Sequence, residues 1–152
     1  MGEGKIGLDM FLVAKKFIFD IDERDKLKLL FKQEYSYLDL EPQEITFKIM
    51  TWRKANAIHK WFVNNVQDGD DDCSKRSSVS TEDMKYLLGL VTEVLSDHSK
   101  AKMLLPTQAG FFYGDTEYGD WYFENLKETE TILKEALKPK NRDYEYYYQS
   151  SW

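Results

Sequence analysis

The chain is poor in the residues that bind soft metals or form disulfides: among 152 residues it has one cysteine and two histidines. Cys73 has no partner for an intrachain disulfide, and a lone cysteine fits a reducing compartment. With His59 and His98 it is too small a set for a structural zinc site. No metal and no cofactor are expected. Long apolar runs are missing too, and nothing approaches the roughly 18 unbroken apolar residues of a membrane span. The opening MGEGKIGLDMFLVAKKF makes a poor signal peptide: its apolar run is short, Glu3 and Asp9 interrupt it, and no small-residue cleavage site follows. Ile6 stands where N-myristoylation needs Ser or Thr. A cytoplasmic protein without membrane attachment is expected.

Positive charge is in short supply. Lys and Arg number 21 against 27 Asp and Glu, for a net charge of −6. That excludes a general nucleic-acid binder, which needs a basic footprint, but it leaves room for a local basic pocket. Phosphate loops of the Walker type, a G-x-G-x-x-G fingerprint and a G-x-S-x-G elbow are all absent. The acidic stretch DGDDD (Asp68–Asp72) is no EF-hand. Counted from Asp68, the position of the bidentate Glu falls on Val79. A solvated loop is the expected role.

Aromatic residues are abundant: ten Tyr, nine Phe and four Trp, 15% of the chain. Apolar residues make up 42% and charged residues 32%, a globular composition of one-domain size. Residues 1–152 read as a single domain, with 1–6 and the 68–80 loop as its mobile parts.

Periodicity assigns the elements. LDMFLVAKKFIFD (Leu8–Asp20) and EITFKIMTW (Glu44–Trp52) alternate as strands, the second after the turn signal at Pro42. ERDKLKLLFKQ between them fits either a short helix or a connector. RKANAIHKWFVNNVQ (53–67) reads as a helix. A third segment, Thr81–Asp97, has the clearest helical stripe, Met84, Leu87, Leu88, Val91, Val94 and Leu95. Ser80 or Thr81 is its N-cap, with Glu82 and Asp83 in the first turn. The last helix spans Tyr118–Leu137 and stops at PKNR. The tail DYEYYYQSSW alternates as a terminal strand. An α+β fold follows: a small antiparallel sheet with about three helices packed on one face. A Tyr-rich tail at a sheet edge predicts self-association, hence a homo-oligomer.

Three places are candidates for a site. On the 53–67 helix, His59 falls inside an apolar stripe with Trp52, Ala55, Phe62, Val63 and Val66, and Asn56 borders it. Such a histidine is either a satisfied core residue or a pocket-lining donor or base. On the last helix, Asn125 and Thr129 interrupt the stripe that contains Tyr118, Trp121, Tyr122, Leu126, Ile132 and Leu133. They mark either a buried hydrogen bond that fixes register or a polar spot in a pocket. If His59 and Asn125 face one space, the result is an apolar pocket with convergent polar groups. Between them, LLPTQAGFFYGDTEYGDWYF (Leu104–Phe123) crowds rings around Pro106, Gly110, Gly114 and Gly119. Read as extended, it puts Phe112 opposite Phe111 and Tyr113, one face for the core and the other a stacking platform.

GLDMFL (Gly7–Leu12) resembles the Met-Gly-Leu-Asp-Met-Tyr-Leu opening of small bacteriophage and prophage accessory proteins of unknown function. WRKANAIHKWFVNNVQDGDDDC and LLPTQAGFFYGDTEYGDWYFENL resemble the two central blocks of that group. The resemblance runs to about Leu137, and this chain departs from it by four extra residues before Gly7 and by its Tyr-rich tail. It implies a non-structural phage protein acting in the host cytoplasm. It favours Trp52, Asn56, His59, Cys73, Pro106, Thr107, Gly110 and Gly114 as positions that matter.

The first expectation is a non-enzymatic binding protein. It holds a small polar, nucleotide-derived ligand in an aromatic-lined pocket and counters host defence. Its ligand-binding set is Trp52, Arg53, Asn56, His59, Lys60, Thr107, Gly110, Phe112, Tyr113, Tyr122 and Asn125, with Lys54, Lys75 and Arg76 as further phosphate contacts. The second is an acidic inhibitor of a host protein. The third is a small hydrolase or transferase with His59 as base.

Overall fold

The computed structural model describes residues 6–32 and 38–152. The sequence reading of residues 1–6 therefore falls outside it, except for exposed Ile6. The elements run β1 (Asp9–Phe17), α1 (Ile21–Phe31), β2 (Glu44–Arg53), α2 (Asn56–Val66), β3 (Ser77–Val79), α3 (Thr81–Ser96), α4 (Ala101–Leu104), α5 (Asp120–Ala136) and β4 (Glu145–Ser151). All strand pairings are antiparallel, in the order β2-β1-β4-β3.

Alternation fixes which face is the core. Met10, Leu12 and Ala14 of β1 lie in register with Ser150, Tyr148 and Tyr146 of β4, and all six are buried. They face α2, α3 and α5, whose buried residues include Phe62, Leu87, Val91, Leu126 and Leu133. Phe62 stacks on Tyr148 with ring centroids 4.1 Å apart and planes 7° from parallel. On the opposite face its own side chains pack on one another. Lys48 lies over the Phe11 ring at 3.9 Å, and Lys15 lies 5.2 Å from the Tyr147 ring. The α+β class is as expected.

The described residues hold five helices rather than about three. One is α4, a single turn of four residues. The other is α1, which settles the undecided ERDKLKLLFKQ stretch. It has no buried residue, so no amphipathic stripe announced it. Local interactions hold it instead: the Asp20 carboxylate accepts from Glu23 N–H at 2.9 Å, and Lys16 pairs with Glu23 at 3.0 Å.

Four more expectations change. Trp52 belongs to β2, opposite Met10, and not to the helix stripe of His59. The 68–80 segment contains β3, three residues long and so too short to show alternation. Phe111–Tyr113 form a turn, so the two-faced strand reading fails there. The Tyr-rich tail is no free edge, because β4 pairs with β1 along its length and with β3 at Tyr146–Tyr148. The edges are β2, ten residues long, and β3, three residues long. Among the described residues, no helix is long and apolar enough to cross a membrane.

Candidate functional site

The start of α2 is unusual. Its N-cap is Ala55, which has no side chain to accept from the first turn. The backbone N–H groups of Asn56, Ala57 and Ile58 find no acceptor among the described residues, and the first such group with one is His59, which donates to Ala55 O at 3.0 Å. Unmatched N–H groups at a helix start carry partial positive charge and point outward along the axis.

The space they face is a small cleft of about 20 Å³. Residues 54–58 form one wall, Trp121, Tyr122, Asn125 and Leu126 of α5 the second, and Thr107, Asp115 and Glu117 the third. Asn125 is 6% exposed, and its side-chain amide makes no hydrogen bond among the described residues. Lys54, which also makes no ion pair there, sits at the mouth in a left-handed conformation, φ 53°. Gly114, at φ 80°, lies against its side chain, and a Cβ there would come 3.2 Å from Lys54 Cβ.

Asn56 builds the third wall. Its amide nitrogen donates to Tyr113 O at 2.9 Å and Asp115 O at 2.8 Å, and its oxygen accepts from Gln108 N–H at 2.9 Å. Thr107 closes the loop on itself: its hydroxyl donates to Thr116 O at 3.0 Å, and its N–H donates to the Tyr118 hydroxyl at 3.1 Å. The Tyr122 hydroxyl donates to Leu105 O at 2.8 Å, leaving the ring as cleft lining.

His59 does not share this space. It is fully buried and both ring nitrogens are engaged: Nδ1 with the Tyr148 hydroxyl at 2.6 Å, and Nε2 with Asp71 Oδ2 at 3.0 Å. Burial lowers its pKa against the opposing pull of Asp71, so the ring is neutral. Beside the Asp71 carboxylate, the proton sits on Nε2, and Nδ1 accepts from Tyr148. Burial raises the pKa of Asp71, but hydrogen bonds from Tyr113 and His59 outweigh it and hold the carboxyl below its usual range. The Tyr113 hydroxyl also donates to Asp71 Oδ2, and Trp152 Nε1 reaches Oδ1 at 3.4 Å. The cluster fastens the 68–80 loop and the C-terminus to the core.

The remaining expected residues are dispersed. Trp52 is buried and donates from Nε1 to Thr129 Oγ1 at 2.8 Å. Thr129 in turn donates to Asn125 O at 2.6 Å. Arg53 pairs with Asp9 at 2.7 Å. Lys60 lines a separate hollow with Trp61, Tyr86 and Pro106. Gly110 lies under the Tyr113 ring, and Phe112 stacks near Trp152 at 6.1 Å. Arg76 reaches toward Gln149 at 3.5 Å. Among the described residues no group of three or more His, Cys, Asp or Glu is placed to hold a metal ion.

Of the eleven expected residues, Asn56, Thr107, Tyr122 and Asn125 therefore meet in one cleft. Lys54, expected as a further phosphate contact, joins them, whereas sequence reasoning missed Ala57, Ile58, Asp115, Glu117 and Trp121 as lining residues. The available signal was Ala55, a helix start lacking a Ser, Thr, Asp or Asn cap. Comparison with known protein families, curated proteins and solved structures finds no match to this chain.

Proposed function

We propose that the protein is a non-enzymatic binder of a small polar ligand, held by an acidic group at the start of α2. The observation that carries this reading is the Asn125 side-chain amide, which has no partner among the described residues and opens on the cleft beside three free backbone N–H groups. An oxyanion set there accepts from both and gains the partial charge of the helix start. Lys54 adds a full positive charge at the mouth.

The cleft is not uniformly basic. Asp115 and Glu117 line it from the loop side and weaken its hold on a bare anion that offers them no donor. The arrangement suits a ligand with one acidic group and a donor-rich end. The enclosed part of the cleft takes a group of about the size of one water, such as a single oxygen of the acidic group, and the rest of the ligand lies along the rim. There, Trp121 is 56% exposed and offers a stacking face. A nucleoside monophosphate or a molecule derived from one meets all three conditions. Taken with the resemblance to phage accessory proteins, a nucleotide-derived signal of host defence is the ligand class we favour.

Thermal melting with nucleoside monophosphates, cyclic dinucleotides and inorganic phosphate tests the reading. A ligand at one hundred times its Kd stabilises the fold by about 2.7 kcal/mol. We expect at least one nucleotide to raise Tm in the wild type and not in Asn125→Leu. A panel without any shift, or a shift that survives Asn125→Leu, contradicts it.

A further inference from the structure

We infer that the free edge of β2 pairs with β2 of a second copy, making a two-fold dimer centred on Thr46. This surface is separate from the α2 cleft and does not depend on it. β2 ends the sheet order, and among the described residues no strand pairs with its outer side. It is ten residues long, and Phe47, on its inner face opposite Ala14, remains 49% exposed. A long edge carrying an uncovered ring is the form that sheet proteins either protect or pair.

The hydrogen-bond phase limits the register. Ile18 N–H donates to Gln43 O at 3.0 Å, so Gln43, Ile45 and Phe47 direct their backbone groups toward β1. Glu44 and Thr46 direct theirs outward. An irregularity opposite Leu12 and Val13 ends this phase after Lys48. The available ladder is therefore Glu44–Lys48.

Charge favours one centre within it, since two-folds at Ile45 or Phe47 set Glu44 or Lys48 against Thr46 and make no ion pair. A two-fold at Glu44 sets two carboxylates opposite each other, and one at Lys48 sets two ammonium groups opposite each other. A two-fold at Thr46 sets Glu44 against Lys48 of the second copy at both ends. On the inner face the same register brings Ile45 against Phe47 of the second copy and covers the exposed ring. On the outer face the two Thr46 side chains meet. The contact is isologous, so it closes at two copies and leaves only the three-residue β3 as an edge in each.

Sedimentation of the full chain tests the proposal. The wild type is expected as a dimer. Glu44→Lys and Lys48→Glu each raise the dissociation constant on the order of tenfold, because attraction becomes repulsion at both ends. The double variant with both reversals restores the wild-type value. Thr46→Pro removes an outward N–H, which an edge strand tolerates, and should give a folded monomer by circular dichroism. A wild-type monomer at every concentration overturns the proposal. So does a dimer indifferent to the single reversals, or one that the double reversal fails to restore.

Discussion

Asn56 and Asn125 face the same cleft from different walls, with opposite hydrogen-bonding states. Asn56 uses its amide fully, with two donations and one acceptance. Asn125 is as deeply buried, and its amide has no partner. One residue builds the wall, and the other is left for whatever enters.

The contrast predicts different costs. Asn56→Ala leaves two carbonyls and one N–H of the Gln108–Asp115 loop without partners, for a loss of about 2–4 kcal/mol. Asn125→Ala breaks no hydrogen bond made by its side chain and should cost about 1 kcal/mol or less. Denaturant melts of the two variants give the comparison, and equal losses would sink this division of roles.

The His59–Asp71 pair gives the fold an acid limit. The pKa of His59 is lowered in the folded protein, so the unfolded chain binds the extra proton first. Stability from this group is intact above its ordinary value of about 6.5 and falls as pH drops below it. Asp71 is also lowered, so its contribution is lost at still lower pH, beneath the ordinary carboxylate range. The midpoint of urea unfolding should fall from pH 7 to pH 5 in the wild type. His59→Phe should be less stable at pH 7 and flatter across that window; an equal slope would contradict the assignment.

Trp52 and Thr129 form the buried hydrogen bond between β2 and α5. Thr129→Val keeps the shape and removes the acceptor, leaving the indole N–H buried and unpaired. A loss of about 1–3 kcal/mol is expected. A variant as stable as the wild type would mean that the indole has another acceptor.

Gly110 has no space for a methyl group. A Cβ there would meet Tyr113 Cδ2 at 2.6 Å. Gly110→Ala must displace the ring that reaches Asp71, at a cost of about 1–3 kcal/mol. Loosening of the 68–80 loop should accompany it, seen as faster amide exchange at Asp71–Ser74. Unchanged exchange there would uncouple the turn from the loop.

The sequence was most legible where burial is one-sided. The stripe of α3 and its Ser80 cap appear as read, with the Asp83 side chain completing a capping box. The alternation of β4 placed Tyr144, Tyr146 and Tyr148 on one side. It did not reveal that β3 pairs there, because three residues carry no period. In α2 burial extends well beyond one stripe. Ile58 and Trp61 are buried as well as His59 and Phe62, so its stripe was incomplete. Of the site, the polar interruptions Asn56 and Asn125 were visible, but their meeting was not. It depends on how the 106–118 loop folds back across α2, a long-range arrangement that no local spacing records.

The most direct test is nuclear magnetic resonance of the amide protons during titration with a nucleoside monophosphate. Binding at the start of α2 should shift the backbone N–H signals of Ala57 and Ile58 together with the Asn125 side-chain pair. Signals of the His59–Asp71 cluster should move little. Saturable shifts confined to those groups are the predicted result. No shift, or shifts centred on another surface, would contradict the α2 cleft as the binding site.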